Sequence, residues 1–67
     1  MQQHFTMNQR VEVSRSGVVY NGVSYPKGSQ GLVTQIGTGE NAGFVWVKMS
    51  INGVVITFGS GSIRPTE

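Results

Sequence analysis

The sequence predicts an all-β, antiparallel domain, and three observations carry that prediction. Apolar and polar residues alternate in short runs. Glycine is frequent, at 10 of 67 residues, and interrupts almost every window long enough for a helix. Two Asn-Gly dipeptides stand between alternating runs. Alternation is the mark of a half-buried strand. Asn-Gly signals a hairpin because both central residues of a type I′ turn need φ > 0.

The elements follow in order. In "RVEVS", Val11 and Val13 face one way while Arg10, Glu12 and Ser14 face the other, a first strand. "VVYNGVSYPKG" (18–28) reads as a hairpin turning at Asn21-Gly22. That turn pairs Tyr20 with Val23, Val19 with Ser24 and Val18 with Tyr25. Pro26-Lys27-Gly28 then returns the chain to a second strand, "GLVTQIG" (31–37). "GTGENAG" (37–43) is a flexible loop; it lacks the strand-loop-helix setting and the Lys-Ser/Thr of a phosphate-binding loop.

"FVWVKMS" (44–50) is the third strand and "VVITF" (54–58) the fourth. With a two-residue turn at Asn52-Gly53, Ile51 faces Val54, Met49 faces Ile56 and Val47 faces Phe58. Those side chains, joined by Val11, Val13 and Val33, make the expected core. The opposite face carries Phe44, Trp46, Lys48, Ser50, Val55 and Thr57, and it is unusually aromatic for a solvated face. "GSGS" (59–62) is a short helical turn, and "SIRP" (62–65) is a last short strand that stops at Pro65, which cannot donate to a ladder. Residues 1–7 are expected to form a flexible N-terminal tail, and 8–67 a single domain.

A strand, a long hairpin, three antiparallel strands with tight turns, then a short turn and strand: this order resembles the SH3-like small barrel. The resemblance implies five antiparallel strands closed into a barrel, with the hairpin as its long first loop folded over the open side. "KGSQGLVTQIGTGENAGFVWVKM" (27–49) further resembles the KOW-type variant, in which a glycine precedes alternating apolar residues and a V-x-V strand follows. Gly31 has the glycine's place, and Val33, Ile36, Val45 and Val47 form the apolar series. "QRVEV" is similar to the G-x-R-V-x-V opening of these domains, with Asn8-Gln9 where glycine is usual. The KOW resemblance implies nucleic-acid binding in transcription or translation.

The candidate binding residues are Phe44, Trp46 and Lys48 on the outer face, Tyr20 and Tyr25 on the hairpin, and the basic residues Arg10, Arg15 and Lys27. Phe44 and Trp46 suit base stacking or a peptide groove; equally, the hairpin tyrosines could cover them as a second small core. A proline-rich peptide groove is disfavoured, because the chain lacks an "ALYDY"-like motif and its first loop has no Asp or Glu to meet a ligand arginine. Arg10, Arg15, Lys27, Lys48 and Arg64 could contact phosphates or serve only as scattered solubilising charge. His4 stands in the tail segment and is read as solvated.

Composition narrows the function classes. The Lys+Arg count of 5 against an Asp+Glu count of 3 gives a formal +2, and the pI is about 9.5. Only 12% of residues are charged, so the high pI owes much to scarcity of titrating groups. With no cysteine and one histidine, neither a disulfide framework nor a zinc cluster is expected. "MQQHFTMNQR" has no basic and apolar leader pattern. No apolar run nears the roughly 20 residues of a spanning helix, so no membrane partner and a cytoplasmic location are expected.

Catalysis is not expected: there is no aspartate, no cysteine and no base placed to activate Ser or Thr. No cofactor is expected either. Two function classes remain. One is a protein-binding adaptor, accessory subunit or inhibitor that docks on a larger protein or complex. The other is a KOW-like nucleic-acid-binding accessory protein. Five basic residues can neutralise few phosphates, which favours the protein-binding class.

Overall fold

The computed structural model describes residues 5–66; His4 and the rest of residues 1–4, with Glu67, lie outside them. The strands are β1 (Arg10–Val13), β2 (Val18–Tyr20), β3 (Val23–Tyr25), β4 (Gln30–Ile36), β5 (Phe44–Met49), β6 (Val55–Gly59) and β7 (Ile63–Pro65). Short 3-10 turns occupy Gly39–Asn41 and Ser60–Ser62, and no α-helix is present among the described residues. Five strands form one antiparallel sheet in the order β6-β5-β4-β1-β7, and β2 and β3 form a separate two-stranded sheet.

The expected closure into a barrel is not seen. β6 and β7 stand at opposite ends of the sheet order and do not pair. The 3-10 turn between them carries the chain from one edge to the other instead of folding it back as a hairpin. The β2–β3 hairpin is paired as its turn predicts: Val18 with Tyr25, Val19 with Ser24, and Tyr20 with Val23. Asn21 and Gly22 both take positive φ, 51° and 76°, as a type I′ turn requires.

Asn52-Gly53 behaves differently. Gly53 takes positive φ but Asn52 does not. The loop spans Ser50 to Gly53 and closes through the Gly53 N–H donating to the Met49 carbonyl at 2.8 Å. Val47 therefore pairs with Ile56 and Val45 with Phe58, a register two residues from the expected one. A shift of two leaves every side chain on its own face. Only the loop members change: Ile51 and Val54, expected in the core layer, are 80% and 37% exposed.

The core contains the expected Val11, Val13, Val33, Val47, Met49, Ile56 and Phe58, together with Tyr25, Val45, Ile63 and Phe5. Phe5 places the end of the expected tail inside the folded domain. The Asn8 N–H donates to the Val33 carbonyl at 2.7 Å and the Thr6 N–H to Gln9 Oε1 at 3.0 Å, which fixes the segment over β4.

β4 contains a bulge. The pairing steps from Val33↔Val47 to Gln35↔Trp46, so Thr34 is the extra residue, and its hydroxyl donates to the Trp46 carbonyl at 3.2 Å. The bulge lets Val33 and Ile36, three apart, share the core face that strict alternation would deny one of them. The segment 37–43, expected as a flexible loop, holds a 3-10 turn, and the Gly37 N–H donates across its base to the Phe44 carbonyl at 2.9 Å.

Candidate functional site

The outer face of the sheet is set by strand parity. Cross-strand pairs place Arg10 beside Leu32, Leu32 beside Lys48, and Lys48 beside Val55, forming one row across β1, β4, β5 and β6. The next row holds Gln35, Trp46 and Thr57, and beyond it Phe44 stands opposite Gly59. Neighbouring strands lie about 4.8 Å apart, so side chains in a row are in mutual reach. Leu32 is 39%, Phe44 46% and Val55 44% exposed, while Trp46 is half-buried among them.

Electrostatically, Arg10 and Lys48 flank Leu32 on this face. On the same face toward β7, Arg64 Nε donates to Glu12 Oε2 at 2.6 Å, so Arg64 is engaged in an ion pair. The groups available around Trp46 are two cations, an amide and a hydroxyl. They can attract, hydrogen-bond and stack. Among the described residues no three His, Cys, Asp or Glu side chains come together as a metal site.

The structure does not bring all eight candidate residues together. Phe44, Trp46, Lys48 and Arg10 share the outer face. Tyr25 does not: it is 1% exposed inside the core, and its hydroxyl accepts from Asn52 Nδ2 at 3.1 Å. Its ring is closed to a surface ligand. Tyr20 is 40% exposed near the hairpin tip. Because the hairpin packs Tyr25 into the core, on the opposite side of the sheet, it does not cover Trp46.

Arg15 sits at the hairpin root. There the Ser14 N–H donates to the Ser62 carbonyl at 2.9 Å, and Arg15 Nη1 reaches Ser62 Oγ at 3.5 Å. Lys27 is exposed in the turn that Gly28, at φ 96°, returns to β4. The basic residues thus divide among the outer face, the hairpin root and the return turn. Leu32 joins the outer face without having been singled out from the sequence. Its signal was its place between two core-facing positions, Gly31 and Val33. Comparison with protein-family models, characterised proteins and solved structures finds no match for this chain.

Proposed function

We propose that this protein is a small, non-enzymatic binding module built as an SH3-like domain of the KOW type, which engages a larger protein through the outer face of β4, β5 and β6. One observation carries the reading. Leu32, Phe44 and Val55 leave apolar surface in solvent around a half-buried Trp46, on a face the hairpin does not occupy. Exposed apolar side chains gathered around an aromatic ring on one face of a small domain mark an interaction site. Rigid aromatic anchors dominate such interfaces. The SH3-like reading draws its support from the order of strands and from the hairpin inserted between β1 and β4.

The dispersal of the cations weighs against the nucleic-acid class, since only Arg10 and Lys48 accompany the aromatic residues. A strand-tracking groove needs a continuous basic path beside its stacking platforms. The test is affinity capture with and without nuclease, followed by titration of Trp46→Ala and Lys48→Glu against the recovered partner. Trp46→Ala should weaken a protein complex by about 2 kcal/mol or more. Raising salt from about 50 to about 200 mM should change that affinity little, whereas a nucleic-acid ligand would be lost by more than about tenfold. Wild-type binding by both folded variants would show that this face is the wrong one.

A further inference from the structure

The edge strand β6 is open in a way that β7 is not. The Met49 N–H donates to the Val54 carbonyl at 2.9 Å and the Ser60 N–H to the Gly43 carbonyl at 2.8 Å. In an antiparallel ladder such bonds recur at alternate residues, so Ile56 and Phe58 turn their backbone groups to β5. Val55, Thr57 and Gly59 turn theirs outward. No backbone bond among the described residues takes up those outward groups. On β2 the two-residue turn makes Tyr20–Val23 and Val18–Tyr25 the hydrogen-bonded pairs, which leaves the backbone of Val19 facing outward too.

These two edges border one cleft of about 310 Å³, lined on one side by Val18 and Tyr20 and on the other by Ile56, Thr57 and Phe58, with Arg15 also at its wall. Ligand sites of this size are common. Proteins normally blunt a free edge with charge, proline or a very short strand. β7 has all three, in Ile63-Arg64-Pro65. β6, "VITFG", has neither charge nor proline and is longer. The unprotected edge is therefore the one with a cleft beside it.

We propose that the β2–β6 cleft receives an extended segment of another protein as an added strand on β6, with a carboxylate of that segment against Arg15. The chemistry of the cleft selects this occupant. Apart from Arg15 and two glycines its walls are apolar or hydroxylic, suiting β-branched side chains, and no acidic residue lines it. Among the described residues Arg15 meets no carboxylate; its one polar contact is the 3.5 Å approach to Ser62 Oγ. The hairpin wall opposite β6 favours a free strand over the edge of a second folded copy, which would carry its own sheet against the hairpin. Strand addition draws affinity from main-chain bonds and selectivity from alternate side chains.

This inference concerns the edge of the sheet and stands apart from the outer-face reading. The probes are capped Thr-Val-Thr-Val-Thr-Glu, the same peptide with glutamate placed first, lysine versions of both, and one with alternate backbone nitrogens methylated. Binding is read from amide resonances of the uniformly labelled protein. A glutamate peptide should shift Val55, Thr57, Gly59 and Val19 and slow their amide exchange, and the methylated peptide should not. Lysine in place of glutamate should weaken binding by up to about fivefold, the upper end for an exposed ion pair, and Arg15→Glu should remove or reverse that preference. Shifts confined to Phe44, Trp46 and Lys48, no shifts at millimolar peptide, or β6 shifts that depend on protein concentration alone would each overturn the proposal. The peptide test is read on protein with Trp46 intact and without the outer-face partner. The Trp46→Ala test is read with that partner and without the peptides, so the two readings fail separately.

Discussion

Replacing Gly31 by alanine adds one methyl group at a crowded point inside the sheet. Gly31 pairs with Val11 on one side and Met49 on the other, and it is buried. A Cβ there would stand 2.6 Å from Val47 Cγ1 and 2.7 Å from the Lys48 carbonyl oxygen. Ordinary contact begins near 3.4 Å, so both approaches are 0.7–0.8 Å too short. Val47 is itself fully packed, and the Lys48 carbonyl belongs to a strand held on both sides, so relief requires β5 to move away from β4. Overpacking of this kind costs about 1–3 kcal/mol. Gly31 does not have positive φ, so the change also removes unfolded-state freedom and returns about 0.4–1 kcal/mol. The net expectation is a loss of about 1–2 kcal/mol, or roughly 5–15 °C in Tm for a domain this small. Gly59→Ala is the control, since its Cβ would meet nothing within 4 Å and its φ is −70°. It should leave the urea midpoint unchanged or raise it slightly. A Gly31→Ala midpoint equal to the parent's, or an equal fall in both variants, would refute the steric account.

Val47→Ala should cost about 2 kcal/mol in urea denaturation, because it empties volume at a 1% exposed position in the middle of the sheet. Tyr25→Phe keeps the ring and removes the acceptor for Asn52 Nδ2; the loss expected by thermal melting is about 0.5–1.5 kcal/mol. The two Asn-Gly dipeptides should respond unequally to Asn→Gly. Asn21 contributes a left-handed backbone that glycine adopts freely, so Asn21→Gly should be neutral within about 0.5 kcal/mol. Asn52 contributes its side chain, with Oδ1 accepting from the Val54 N–H at 3.1 Å and Nδ2 donating to Tyr25. Asn52→Gly should therefore cost about 1–2 kcal/mol, and equal effects at both positions would contradict this division.

That contrast also explains which parts of the fold were legible in the sequence. The β2–β3 register follows from the dipeptide because nothing outside the hairpin competes for Asn21. At Asn52 the tyrosine hydroxyl, 27 residues away, takes the side chain, and the loop widens around it. Face assignments survive because the resulting shift is even. The bulge had a signal, the three-residue spacing of Val33 and Ile36, which alternation alone cannot place on one face. Phe5 had little: its one alternating apolar neighbour, Met7, is 55% exposed, and the residues between and beside them are polar. Barrel closure depends on whether two strands distant in the sheet order meet, which local pattern does not encode.

The candidate site divides along the same line. Parity separates Trp46 and Lys48 from the core, but it cannot distinguish Tyr20 from Tyr25. The pairing puts both on one face of the hairpin, yet Tyr25 lies at the root, over the core, and Tyr20 near the tip, beyond it. Their fates are set by where the hairpin overhangs the sheet, a tertiary fact.

Both proposed surfaces meet on β6. Val55 and Thr57 present their side chains to the outer face beside Lys48 and Trp46, and the same residues turn their backbone groups to the open edge. A strand added at that edge would continue the sheet and set its own alternate side chains next to theirs, lengthening the apolar face by one strand width, about 4.8 Å. The backbone edge recognises extension without regard to sequence, and the face recognises side chains without regard to backbone. A partner that offered an extended segment followed by a folded body could use each for what it reads.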